Sequence, residues 1–331
     1  MANFAIIGAG LAGISLAHQL KQGGHSCAVF EKSRGLGGRL ATRRLDNWQA
    51  DHGAQYFTAS SPAFIAELGR WLDKGWVKPW SVIPWQLTRE HLSPSPDQKE
   101  RFVGAPNMNA MVHGLAAGIP LYMKTRIDRL EADGDQWRLW DEHGEHYGNF
   151  DAVILTAPMA QSQALLPTGV VDAAQIGIQT MTPTWAMALA FSEPTAIEAD
   201  VVFVKDGIVS WAARDTAKPG RPQGYETWVL HFSSQWSANH LDAAPELLQQ
   251  QVVEVLERLA TAALPEIHQS FSHRWLYARA GTAEPVSQWH PASRIGLAGD
   301  WTQGNRIEDA WTSANKLAAV LLKEYGQASS I

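Results

Sequence analysis

Gly8, Gly10 and Gly13 stand in the pattern Gly-x-Gly-x-x-Gly, directly after the apolar run Phe4-Ala-Ile-Ile7 and before apolar residues at helical spacing, Leu11, Ile14, Ala17 and Leu20. Each glycine suits one task. Gly8 turns the chain tightly out of a strand, Gly10 lets backbone approach a pyrophosphate, and Gly13 lets the helix pack on the sheet. The first-turn N–H groups, Ala12 among them, then face the phosphates. Glu31 ends a second apolar run 18 residues past Gly13, where it is placed to accept hydrogen bonds from ribose hydroxyls. A lone glycine pattern is weak evidence. Strand before, helix after and an acid at this distance make it a βαβ nucleotide cradle.

Two further stretches carry residue types that fit the same ligand. After Glu31 comes Lys32-Ser-Arg-Gly-Leu-Gly-Gly38-Arg39, a glycine-rich basic turn that the first βαβ unit of an NAD dehydrogenase does not need; its bland alternative is a flexible basic loop. Near the other end, the short apolar run Ile295-Gly-Leu-Ala leads into Gly299-Asp300, a turn at Gly304, and a helix opening around Arg306-Ile307-Glu308. An acid in that turn and a helix N-terminus behind it can position and stabilise polar parts of an extended cofactor.

Composition bounds what else the chain can do. Its 331 residues suffice for two compact parts, and 45% apolar with 18% charged residues is ordinary for a globular protein. A net charge of −6 argues against nucleic acid or an anionic membrane as main partner. No apolar run approaches the length of a membrane span and no basic segment precedes the first strand, so the expected compartment is the cytoplasm. Cys27 is the only cysteine, which excludes an intrachain disulfide, a CxxC pair and a thiolate metal site. No metal is expected: His143 and His146 sit in a charged turn, Asp-Glu-His-Gly-Glu-His, with no third ligand in view. Of the 15 tryptophans, Trp48, Trp71, Trp76, Trp80 and Trp85 are expected mostly to pack.

The elements that position these residues can be read in order. Ser61-Pro62 opens a helix through about Lys74, with Gly75 as its stop. Residues 76–103 read as a short antiparallel excursion, and Gly104–Asn109 as the cap of a helix through Gly118. Strands are expected at Leu121–Leu130, Trp137–Asp141 and Phe150–Thr156. Beyond about 160 the pattern changes to strands at 184–191, 201–204, 208–212 and 226–232 with one long helix at 245–263, and no second Gly-x-Gly-x-x-Gly. Within this region Arg214, Lys218 and Arg221 form a cationic loop, expected to be solvated in preference to receiving substrate phosphates. His231 reads equally as a polar group facing the cofactor and as a satisfied core histidine.

Taken together, Gly8-x-Gly10-x-x-Gly13, Glu31-x(7)-Arg39, Asp51-His-Gly-Ala-Gln-Tyr56 and Gly299-Asp300 with Arg306-Ile-Glu308 resemble the flavin monoamine-oxidase superfamily. The short length, the Gly-Ala-Gln-Tyr run and Ser210-Trp-Ala-Ala-Arg214 are most similar to its renalase-like bacterial branch. The resemblance implies an α/β fold: a Rossmann-type FAD-binding domain at 1–75, 104–160 and 286–331, with an inserted, mainly antiparallel sheet-plus-helix substrate domain at 76–103 and 161–285. It implies non-covalent FAD, since the thioether of some relatives needs a cysteine near the C-terminal motif.

Carried over residue by residue, the cofactor contacts are Gly8, Gly10, Ala12, Gly13, Glu31, Lys32, Gly38, Arg39, Gln55, Tyr56, Ile127, Gly299, Asp300, Arg306 and Ile307. Arg39 is implied to meet the FAD phosphates, Asp300 the ribityl chain or phosphates, and Ile127 to offer backbone to adenine. Gln55, Tyr56 and His231 are the implied pocket wall, with Tyr277 and Trp289 as cage members if the donor is an amine. The implied activity is oxidation of 2- and 6-dihydro isomers of NAD(P)H by hydride transfer to flavin N5. Reoxidation by O2 then gives NAD(P)+ and H2O2. Amine oxidation or another flavin dehydrogenation is the alternative, a non-catalytic flavin protein a third. The implied partners are a dinucleotide and O2, in a monomer or dimer.

Overall fold

A computed structural model describes residues 1–170, 180–281 and 288–326. The proposed domain boundary at 285/286 lies outside the described residues. The fold is mixed α/β, with a Rossmann-like part and a second, mainly antiparallel sheet.

A six-stranded sheet runs in the order Trp289–His290, Ile295–Leu297, Ala152–Leu155, Asn3–Ile7, Ser26–Glu31, Leu121–Met123. All its pairings are parallel except the short edge pair of Trp289–His290 with Ile295–Leu297. The central strands are apolar without alternation because both faces are covered: Phe4, Ala5, Ile6, Ile154 and Leu155 are all fully buried. The helices Leu11–Gln22 and Ile307–Gly326 cover one face, the second through Trp311, Ala314, Leu317, Ala318 and Leu321. Ser61 caps the helix Pro62–Asp73 by accepting from the Phe64 N–H at 3.4 Å, and Pro62 occupies its first position.

The second sheet has seven strands, ordered Ile267–Ala280, Met181–Phe191, Glu226–Phe232, Val209–Arg214, Val201–Val204, Pro84–Leu87, Leu92–Pro94. The helix Pro245–Leu259 buries Leu248, Val252, Leu256 and Leu259 against it. Residues 76–103 hold the expected antiparallel pairs, Val77–Pro79 with Phe102–Gly104 and Pro84–Leu87 with Leu92–Pro94, and Pro84–Leu87 also joins the seven-stranded sheet parallel to Val201–Val204.

Other boundaries differ from expectation for local reasons. The strand expected at Leu121–Leu130 is two, Leu121–Met123 and Ile127–Asp133. Lys124 takes φ +56° and the Thr125 N–H donates to the Glu31 carbonyl, so the chain leaves one sheet and enters a three-stranded antiparallel one. The strand expected at Phe150–Thr156 is also two, His146–Phe150 and Ala152–Leu155, divided at Asp151. The helix after Asn109 stops at Leu115, and the long one at Leu259. Ile267–Ala280 went unread as a strand because its residues lack clean alternation; its pairing with Met181–Phe191 itself shifts register twice.

Candidate functional site

The nucleotide cradle is built by steric exclusion. Gly8 has φ +115°, and a Cβ there would lie 2.6 Å from Thr156 Oγ1. A Cβ on Gly13 would lie 2.0 Å from the Gly8 carbonyl oxygen, so the helix meets the strand turn only because residue 13 is glycine. Gly10 is the opposite case. Its φ is −75° and nothing stands within 4 Å of where its Cβ would be. Glycine there leaves an open space in front of the first N–H groups of the Leu11–Gln22 helix, Ala12 included, with no acidic side chain in that turn. A hollow at a helix N-terminus fits the phosphates of a dinucleotide.

The loop after the second strand closes onto this hollow. Gly37 N–H donates to the Ala9 carbonyl at 2.9 Å, and Gly37 and Gly38 take φ +111° and +54°. Glu31 ties both loops together: its Oε2 accepts from Ala9 N–H at 2.9 Å and its Oε1 from Ser33 N–H at 2.8 Å. Lys32 is exposed and reaches Gln161 Oε1 at 3.0 Å, while Ile127 is buried at the start of its strand.

The far end of the chain arrives at the same place. Arg39 Nη1 donates to Asp300 Oδ2 at 2.9 Å and Nη2 to Asp300 Oδ1, while Nη1 also donates to the Ala278 carbonyl at 3.1 Å. Arg39 and Asp300, each expected to meet the cofactor, are thus paired with each other across 261 residues. Gly299 needs its φ of +153°, and a Cβ on it would strike the Trp301 ring at 2.5 Å. Arg306 is exposed and engages Asp309; Ile307 opens the last helix. Beside it, buried Glu308 accepts from Ser60 N–H at 3.1 Å and Ser61 N–H at 2.7 Å. Burial acts to raise its pKa, but the Ser60 and Ser61 hydrogen bonds win and lower it.

The Asp51–Phe57 turn is held from beneath by an ionic cluster. Asp51 accepts from Arg221 Nε at 3.1 Å and from Lys218 Nζ at 3.3 Å, and Lys218 also reaches Asp215 Oδ1 at 2.6 Å. All four side chains are at most 1% exposed. Arg221 further donates to the carbonyls of Gly104 (2.8 Å) and Pro106 (3.0 Å). The loop expected to be solvated is therefore an internal clamp: Lys218 and Arg221 are consumed by carboxylates, and Arg214 by Asp200 and Glu226. Burial tends to raise the Asp51 pKa, but the charges of Lys218 and Arg221 hold it down at about 2. Asp215, buried with less compensation, is shifted upward.

Gln55 belongs to this clamp. Its Oε1 accepts from Lys218 at 3.1 Å, and its Nε2 donates to the carbonyls of Asp51 and of Gly53 (3.1 Å). Tyr56 faces the other way. Its ring lies 5.4 Å from the Trp211 ring and 5.1 Å from the Arg101 guanidinium, and burial raises its pKa. His231 Nε2 is 3.3 Å from the His52 carbonyl. Burial lowers its pKa to about 4, so at neutral pH it is an uncharged imidazole. His52 stacks on Trp275 at 5.2 Å between ring centroids, and burial lowers it to about 3. Trp275 Nε1 donates to the His52 carbonyl at 3.0 Å, the carbonyl that His231 also contacts.

His52, Trp275, Trp211 and Arg101 were missed by sequence reasoning. His52 lies inside the recognised turn, so its neighbours could have been suspected, but nothing local marks its partners on distant strands. Trp289 lies at the outer end of the six-stranded sheet, where its Nε1 donates to Glu324 Oε2 and its ring packs edge-on against Tyr325.

Comparison with known proteins agrees with this geometry. Residues 6–69 match the NAD(P)-binding Rossmann-like domain, and residues 93–322 match the family described as Flavin containing amine oxidoreductase. The "Possible lysine-specific histone demethylase 1" of Drosophila melanogaster is 43% identical over 53 residues, 16% of this chain and 6% of that protein. An L-amino-acid oxidase of Sistrurus catenatus edwardsii is 44% identical over 48 residues, 14% of this chain and 9% of its own. The matches thus span under a tenth of either relative's length. Among solved structures, cyclohexylamine oxidase from Brevibacterium oxydans IH-35A aligns over 98% of this chain and 99% of its own, with TM-score 0.78 and 13% identity. Putrescine oxidase bound to putrescine aligns over 97% and 99%, with TM-score 0.72 and 13% identity. At these identities the likeness is one of fold.

Proposed function

The chain belongs to the flavin containing amine oxidoreductases, and from that premise we propose that it is an FAD-dependent oxidase whose donor is a 2- or 6-dihydro isomer of NAD(P)H, in the manner of the renalase-like proteins it resembles. Bound FAD would accept a hydride at N5 and be reoxidised by O2, with release of NAD(P)+ and H2O2. The chain's own residues bind and orient. Gly10, Ala12 and the Leu11–Gln22 helix would take the pyrophosphate, Glu31 a ribose, and Arg39 with Asp300 the ribityl and phosphate region. Non-covalent attachment is supported by the position of the only cysteine, Cys27, buried in the Ser26–Glu31 strand with its thiol pushed up to about 12. We assign residues 1–75, 104–160 and 286–331 to cofactor binding and 76–103 with 161–285 to the donor side, in line with their sheet membership.

One observation carries the donor reading. The wall formed by Tyr56, Trp211 and His231 is aromatic, and its histidine is held uncharged, with a pKa of about 4. A hydride donor with a planar ring asks for stacking and orientation and needs no proton taken near neutral pH. Amine oxidation is the second reading, supported by the family the chain matches and by the amine oxidase whose fold it shares.

Anaerobic mixing separates them. Flavin-loaded protein is mixed with borohydride-generated NADH isomers, β-NADH and a panel of amines, and flavin absorbance is followed. Rapid bleaching by the isomers alone, reversed by air with peroxide release, is the expected result. Bleaching by amines alone overturns it.

A further inference from the structure

The charges acting on the Tyr56–His231 wall can be accounted for one by one. Arg101 and Arg279 act on Tyr56, and Arg279 and Lys218 act on His231. Arg101 is balanced by Asp97, 3.0 Å from its Nη2, and Lys218 lies between Asp51 and Asp215. Arg279 is different. Among the described residues its side chain has no ion pair and no hydrogen bond, and it is exposed. Its place is nonetheless well defined by its neighbours. Ala278 O accepts from Arg39, and Ala280 exchanges hydrogen bonds with the Asn305 side chain, whose Nδ2 donates to Ala280 O at 2.9 Å. The guanidinium thus stands on strand Ile267–Ala280 between two residues pinned by the basic turn and the C-terminal turn.

We propose that Arg279 is an anion anchor of the donor pocket, taking a phosphate of a dinucleotide donor. This deepens the dihydronicotinamide reading above and rests on it. A guanidinium without a carboxylate partner has its fork of donors available for bidentate phosphate binding. It also leaves the wall with one uncompensated positive charge, which attracts anionic donors and repels protonated amines.

The test measures binding rather than turnover. Oxidised, flavin-loaded wild type, Arg279→Gln and Arg279→Lys are titrated with NAD+ and with cationic, phosphate-free 1-methylnicotinamide, followed by the flavin difference spectrum. Arg279→Gln is expected to weaken NAD+ by about tenfold, the size of one lost charge-assisted contact. Arg279→Lys recovers part of the loss, and 1-methylnicotinamide binds the glutamine variant no more weakly than wild type. Equal NAD+ affinity in wild type and Arg279→Gln overturns the proposal, as does a wild type that binds no NAD+. NAD+ binding that depends on Arg279, in a protein whose flavin the NADH isomers do not bleach, upholds the anchor and removes the redox reading instead.

Discussion

Asp51 accepts a hydrogen bond at 3.1 Å from Arg221 Nε, 170 residues further along the chain, and neither side chain is exposed to solvent. Through this contact the loop Asp215–Arg221 holds the turn that presents Tyr56. The turn in turn abuts the cofactor motifs, since Ala54 N–H donates to the Arg39 carbonyl at 2.9 Å.

Breaking this cluster from one side should be costly. Lys218→Met leaves Asp51 and Asp215 with one cation between them, and losing one partner of a buried ion pair typically costs about 3–5 kcal/mol. Thermal unfolding should show a drop of several degrees, larger than for Arg274→Met, which breaks the pair with the exposed Asp242. Equal losses would mean that the buried cluster carries no special weight.

Mild acid should destabilise the protein through two histidines. His52 and His231 have folded pKa values lowered to about 3 and about 4, against 6.5 for the free side chain. Between pH 6.5 and 4 the unfolded chain therefore binds protons that the folded chain does not, and stability falls as pH falls. Asp51 acts lower, since its pKa of about 2 lies below the ordinary 3.8 and its contribution is lost only as pH drops from about 4 toward 2. Denaturant unfolding of wild type and His231→Gln at pH 7.5, 6 and 5 checks the sign: the variant should lose less stability over this range.

The two glycines of the cradle should separate folding from cofactor binding. Gly10→Ala adds a methyl where nothing lies within 4 Å, at a φ any residue adopts. The apoprotein's melting temperature should barely change while FAD affinity falls by about tenfold or more, because the methyl occupies the phosphate hollow. Gly13→Ala places its methyl 2.0 Å from the Gly8 carbonyl and should lower the melting temperature even without FAD. Fluorescence titration of FAD and melting of both apoproteins test the pair; unchanged FAD affinity in Gly10→Ala would remove the phosphate site from this hollow.

What could be read in the chain itself was whatever is local. The turn at Gly8, the hollow at Gly10 and the contact at Gly13 depend on missing side chains within six residues, so their spacing announces them. The same holds for the Ser61-Pro62 helix start and for Gly299-Asp300, where a short apolar strand and a glycine turn are neighbours in sequence. The tertiary structure alone decided the rest. Lys218 and Arg221 look like part of a solvated cationic loop until Asp51, 167 residues before Lys218, is brought beneath them. Arg39 and Asp300 look like two separate cofactor contacts until the fold pairs them. Charges and rings have no periodicity that betrays a distant partner, and burial, which makes His231 neutral and Lys218 structural, is a property of the packed molecule and not of any segment in it.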